Sequence, residues 1–213
     1  VNERELEDRL ARADFVHVLG ADVATNSGAA LFRVSAGEFP SLLRATRGGR
    51  PYGVHLLAAW RFRLGEEWRI AGDALVECAG MGAPLIVAWE DQYLGKNPRS
   101  MAAVVAARAR FLFAVELRAQ QRGVALHDAA VNTMSWQSKV LGKARGKARA
   151  TIKATSDERA PQIAALCGSA LRPQADAADA TCIGLHEIAR HFTIDLEAIR
   201  GESGKPAPRR RRR

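Results

Sequence analysis

Apolar and polar positions divide this chain into runs of distinct period. Residues 2–14 are charged throughout and predict a short helix or arm, set apart here as residues 1–14. Phe15–Asp22 concentrates Phe15, Val16, Val18 and Leu19 and predicts a strand. Asn26-Ser27-Gly28 supplies turn chemistry, since Asn and Gly tolerate positive φ. Ala29–Val34 returns as an antiparallel second strand. Glu38–Thr46 is a candidate third strand, closed by Arg47-Gly48-Gly49. Over Tyr52–Ala79, the residues Leu56, Leu57, Trp60, Leu64, Trp68 and Ile70 recur at helix-like spacing, with a break near Gly65. Gly80-Met81-Gly82-Ala83-Pro84 ends that helical region.

The second half begins with LIVAW, Leu85–Trp89, a continuous apolar run that suits a strand buried on both faces. Pro98–Arg122 has no Gly or Pro after its first residue and reads as a long helix. Val124–His127 predicts a short strand and Thr133–Gly142 a helix. Ser156-Asp157-Glu158 offers an N-terminal cap for a helix over Arg159–Cys167. Asp176–His191 is the last predicted helix. The order predicts an α/β fold, a mixed five-stranded sheet with helices on both faces. Residues 15–192 would form that domain, and 193–213 a basic, disordered tail ending in five arginines.

Composition narrows the function classes. The 213 residues carry a net charge of +9 and are 47% apolar, enough for a sizeable core. A balance this basic points to a polyanion, most often nucleic acid. Cys78, Cys167 and Cys182 lack CxxC spacing, which disfavours a zinc site or disulfide framework and fits a reducing compartment. No apolar run reaches a membrane span, and the charged start is unlike a signal peptide. The expected location is cytoplasmic. The five histidines form no HxH or HxxxH pair, and no GxxxxGK[ST] loop is present, so nucleotide hydrolysis lacks support.

The chemistry lies in carboxylates at the ends of elements. Asp22 ends the first strand and Glu90 follows LIVAW. Asp176 and Asp179 head the last helix, and their i,i+3 spacing places both on one face. Each has an ordinary alternative: Asp22 as a turn former, Glu90 as a solvated strand end, Asp176 as a cap with Asp179 complementing the helix dipole. Together they suggest a site at the carboxyl ends of strands. Four converging carboxylates need cations, and oxygen-bound Mg²⁺ is the hard ion that answers this.

Three segments, VLGADVATNSGAALF, IVAWEDQYLGKNPRSMAAVVAARA and PQADAADATCIG, resemble the RuvC family of Holliday-junction resolvases, within the RNase H-like nuclease superfamily. The resemblance covers about Phe15–His191. It departs from the family pattern after the first acid, where Ala24 and Thr25 follow Val23. It implies an RNase H-like fold and a homodimer that resolves four-way DNA junctions by paired cuts, leaving 5′ phosphate and 3′ hydroxyl. It implies two Mg²⁺ ions (Mn²⁺ substituting) held by Asp22, Glu90, Asp176 and Asp179. The host would be a bacterium or a phage-infected cell. The apolar face of Pro98–Arg122 is the candidate dimer interface.

By the same likeness Tyr93 is an aromatic wedge that stacks on bases, and Lys96, Asn97 and Arg108 contact DNA. Lys139, Lys143, Arg145, Lys147, Arg149 and Lys153 put six cations and no acid into fifteen residues, a phosphate-binding pattern. Lys153 and Arg159 are the candidates for a cation beside the scissile phosphate. A broader branched-DNA or flap endonuclease, or a non-catalytic basic DNA-binding protein, are the competing readings.

Overall fold

The computed structural model describes residues 2–24, 26–37, 41–78, 83–91, 98–142 and 147–200. The elements in chain order are α1 (Glu3–Arg12), β1 (Phe15–Asp22), β2 (Asn26–Ala36), β3 (Arg44–Arg47), β4 (Arg50–Arg63), α2 (Glu67–Cys78) and β5 (Leu85–Asp91). Then follow α3 (Pro98–Arg122), β6 (Leu126–Asn132), α4 (Thr133–Val140), α5 (Arg149–Leu166), α6 (Asp176–His191), β7 (Thr193–Ile194) and α7 (Leu196–Arg200).

The strands form one mixed sheet ordered β6-β5-β1-β2-β4-β3-β7. β1, β5 and β6 run parallel. β1, β2, β4, β3 and β7 pair antiparallel in succession. Alternating residues feed two cores. Val16, Val18, Phe32, Val34, Ile86 and Ala88 pack under α6 and its neighbours. Leu19, Leu31, Leu85 and Val87 pack under α2 and α3, against Ile70, Leu75 and Phe111. β1 and β5 are buried on both faces, which is why they read as continuous apolar runs.

The sheet has seven strands among the described residues, not the expected five. β4 and β7 are the additions. The helical reading of Tyr52–Ala79 is corrected to a 14-residue strand followed by a 12-residue helix. The helix-like spacing joins residues of different elements: Leu56, Leu57 and Trp60 lie on β4, Leu64 follows its end, and Trp68 and Ile70 lie on α2. A bulge hides the alternation further. Leu31 pairs with Ala58 but Phe32 with Leu56, so Leu57 is the inserted residue. Leu56 joins one core and Leu57 packs against the other.

Smaller corrections concern boundaries. β3 covers Arg44–Arg47, while 38–40 of the expected third strand lie outside the described residues. β6 begins at Leu126 and runs to Asn132. The helix expected over Arg159–Cys167 starts at Arg149, so Ser156-Asp157-Glu158 lie inside it. The charged start forms α1 with Leu6 and Leu10 buried. The stretch 193–200 adds β7 and α7 to the fold. No helix among the described residues is long and apolar enough to cross a membrane.

Candidate active site

Strand pairing brings the first two acids together. Ala21 lies opposite Trp89 in the parallel β1–β5 pair, so Asp22 and Glu90 are neighbours at adjacent carboxyl ends. Two residues back along each strand, Gly20 and Ala88 share the face on which α6 packs. Glycines let α6 reach that face. A side chain at Gly28, the antiparallel partner of Asp22, would collide with the backbone of Asp176 and Ala177. One at Gly20 would collide with the backbone of Ala180 and Gly184, and one at Gly184 would come within 2.7 Å of the Phe32 ring. Three missing side chains therefore set the first turn of α6 directly over the end of β1.

The entry to α6 is unusual. Ala175 has φ 52° and ψ −123° and is the non-glycine residue with positive φ among the described residues. Such a conformation costs about 1–3 kcal/mol and persists only where its surroundings enforce it. Asp157 Oδ1, from inside α5, accepts the Ala175 backbone N–H. Asp157 is thus a clamp on the residue before Asp176, not a cap of its own helix.

The result is a buried cluster of acids with one cation in it. Lys153 Nζ donates to Asp176 Oδ1 at 2.8 Å and to Asp179 Oδ2 at 2.6 Å. Asp22 and Asp179 are each only 8% exposed. Burial, then Glu90, Asp179 and Asp176, push the Asp22 carboxyl well above its ordinary range, with Lys153 opposing. Burial pulls the Lys153 ammonium down, but its bonds to Asp176 and Asp179 outweigh that and raise it. Trp136 Nε1, from the end of the first turn of α4, donates to Glu90 Oε1 at 2.8 Å and orients that carboxylate.

The donor set suits hard cations. It is all carboxylate oxygen: Asp176 and Asp179 bond the Lys153 ammonium, Asp22 lies close enough to feel it, and Glu90 adjoins Asp22. Asp179 Oδ1 is buried with no hydrogen-bond partner in the structure. Such an atom is costly to leave unmet, and an oxygen-seeking divalent ion would meet it. Among the described residues no three acids are already drawn together as a closed metal shell; the Lys153 ammonium holds the Asp176–Asp179 pair instead.

The remaining sequence candidates are placed as follows. Tyr93, Lys96, Asn97, Lys143 and Arg145 lie outside the described residues. Arg108 sits on the α2–α3 side of the sheet, 4.4 Å over the Trp89 ring and 3.5 Å from Asp91. Lys139, Lys147 and Arg149 are exposed. Arg159 turns away from the acids and donates to the carbonyl oxygens of Ile199 and Arg200 at 2.6 and 2.7 Å. His186 meets Ser135 Oγ at 3.0 Å. Trp136, Asp157 and the three glycines were not singled out for the site by sequence. Only their contacts, across tens of residues, bring them into it.

A sheet of this order, with an acid at the end of its central strand and a helix laid across it, is consistent with an RNase H-like α/β fold. No protein-family model matches the sequence, and no curated protein matches it. Among solved structures, that of Thermus thermophilus RuvC matches with TM-score 0.50 and 18% identity, covering 84% of this chain and 99% of the other. T. thermophilus RuvC in complex with Holliday junction substrate gives TM-score 0.47 and 16% identity over 89% and 97%. The yeast mitochondrial Holliday junction resolvase Ydc2 gives 0.43 and 12% over 94% and 91%. At low sequence identity, the chain shares the RuvC resolvase fold over most of its length.

Proposed function

We propose that the protein is a resolvase-like, metal-dependent DNA endonuclease that cuts four-way junctions. The observation that carries this is the meeting of Glu90, Asp176 and Asp179, from two other segments, around the buried Asp22, with Lys153 bonded to the last two. Asp22, Glu90, Asp176 and Asp179 would hold two Mg²⁺ ions, with Mn²⁺ as a substitute. Such ions supply Lewis acidity: activation of water at neutral pH and charge stabilisation at the departing 3′ oxygen.

The protein's own groups do the positioning. Trp136 fixes the orientation of Glu90, and Asp157 with Ala175 fixes where Asp176 begins. Lys153 bonds Asp176 and Asp179 directly and carries a charge that can move to a phosphate oxygen when the acids gain other partners. Lys147 and Arg149, at the start of the helix that carries Lys153, present cations at the surface, and affinity built on them falls with salt.

Paired cuts across a two-fold junction call for two copies. α2 and α3 expose Trp68 (43%) and Phe113 (58%), which meet edge to face, and each helix exposes a valine as well, Val76 and Val105. This is the face through which a homodimer would form. The experiment is metal-dependent cleavage of a mobile four-way junction beside forks, flaps and linear duplex. Preference for the junction supports the reading, and equal cutting of flaps and forks would point to the broader branched-DNA nuclease.

A further inference from the structure

A cavity of about 720 Å³ opens at the end of α6 remote from Asp176. Arg47, Lys139, Arg190 and Arg200 line it, with the hydroxyls of Thr46 and Ser138, and none of its lining side chains is acidic. Four cations and hydroxyl donors around a concave space form a phosphate-binding chemistry. Arg190 and His191 alone would be accounted for as last-turn cations that complement the helix dipole. That account does not reach Arg47 on β3 or Lys139 on α4.

Two of the cations are built in from behind. Arg47 Nη1 donates to the His191 carbonyl at 3.1 Å, its Nη2 bonds Glu7, and the guanidinium lies 5.8 Å from the Phe192 ring. Arg190 is anchored on both oxygens of Glu187, which is fully buried, while its own side chain stays 41% exposed. Their geometry is therefore set before any ligand arrives. α4 joins this cavity to the acid cluster: Trp136 touches Glu90, and Lys139, about one turn further, lines the cavity. The 16 residues of α6 separate the two places by roughly 24 Å at 1.5 Å per residue. That is about seven base pairs at 3.4 Å each.

We infer that this cavity grips backbone phosphates of a DNA arm about seven base pairs from the point of cleavage. The inference rests on the nuclease reading above, and adds to it a second contact that measures out arm length. Inorganic phosphate shares the chemistry, so the test must separate it from DNA.

The test uses the full chain in EDTA, which keeps binding apart from cleavage. Fluorescence anisotropy is read on four-way junctions with arms of about five and about fifteen base pairs. Lys139→Glu and Lys139→Ala are compared with wild type; Lys139 is exposed, so both fold. The expected result is about tenfold weaker binding of the long-arm junction by Lys139→Glu, a salt slope reduced by about one, and little change on short arms. Millimolar inorganic phosphate should not displace the long-arm junction. Equal losses on both arm lengths, or no loss on either, would overturn the assignment. Displacement by inorganic phosphate would make this a free-anion site and overturn it too. If wild type binds both arm lengths alike and still cleaves in Mg²⁺, the cavity assignment falls alone. If it binds neither, the nuclease reading falls with it.

Discussion

Gly28 lies directly beneath Asp176: no space exists for a side chain between the second strand and the first turn of α6. The position of one acid is therefore set by the absence of atoms on the strand next to another. Gly28→Ala must push the start of α6 outward. We expect a stability loss of about 1–3 kcal/mol from overpacking, and a loss of cleavage larger than the unfolded fraction explains. Gly72 in α2 is the control, because its Cβ would meet nothing within 4 Å. Gly72→Ala should gain roughly 0.5–1 kcal/mol from helix propensity. Urea denaturation of both variants checks the pair, and a neutral Gly28→Ala would contradict the packing described.

Trp136→Phe keeps most of a buried ring and removes the N–H that Glu90 accepts. Orienting partners of this kind are worth about 10–100-fold in metal affinity or activity. We expect a drop of that size in apparent Mg²⁺ affinity, read by titrating cleavage against Mg²⁺, with thermal stability lowered far less. An unchanged Mg²⁺ titration would mean that the indole bond does not orient Glu90.

Lys153→Met leaves the Asp176–Asp179 pair without its ammonium. The metal-free protein should lose about 1–2 kcal/mol, a figure kept small because Lys153 is 34% exposed. Added Mg²⁺ should then raise the variant's Tm by more than it raises that of wild type. Equal Mg²⁺-induced shifts would show that the lysine does not stand in for a cation.

Acid sensitivity has an identifiable source. His17 and His186 are buried, and burial first, then Arg33 for His17 and Lys139 for His186, lowers each to about 4. The native imidazoles therefore stay neutral while unfolded ones gain protons below about 6.5. Stability is full above pH 6.5 and falls as pH drops from there towards 4, by up to about 1.4 kcal/mol per pH unit for each histidine. His17→Leu should flatten that slope, measured by denaturant midpoints between pH 7 and pH 4.5. A slope unchanged by the variant would place the sensitivity elsewhere.

Much of the fold follows from local pattern. Phe15–Asp22, Pro98–Arg122 and Asp176–His191 have the same bounds in the sequence reading and in the structure. The strand is a run of bulky apolar residues buried on both faces, and the two helices are long segments free of internal proline. β4 was hidden because its bulge at Leu57 breaks the alternation that would mark it. β7, at two residues, is too short to carry a pattern. The four acids were legible as residues at element ends, but their partners were not. Lys153 and Arg159 are six apart on one helix, about 240° around its axis, and only the packing of α5 decides which faces the acids. Trp136 and Glu90 are 46 positions apart, and nothing local links them.

The central claim is that Asp22 belongs to a metal-dependent cutting centre. It is tested most directly by cleavage of a mobile four-way junction by wild type and Asp22→Asn, each with Mg²⁺ and with EDTA, beside a linear duplex of the same sequence. Wild type is expected to cut the junction in Mg²⁺ only and to spare the duplex, while Asp22→Asn binds the junction and does not cut it. Cleavage by Asp22→Asn at the wild-type rate, or wild-type cleavage that persists in EDTA, would contradict the central claim.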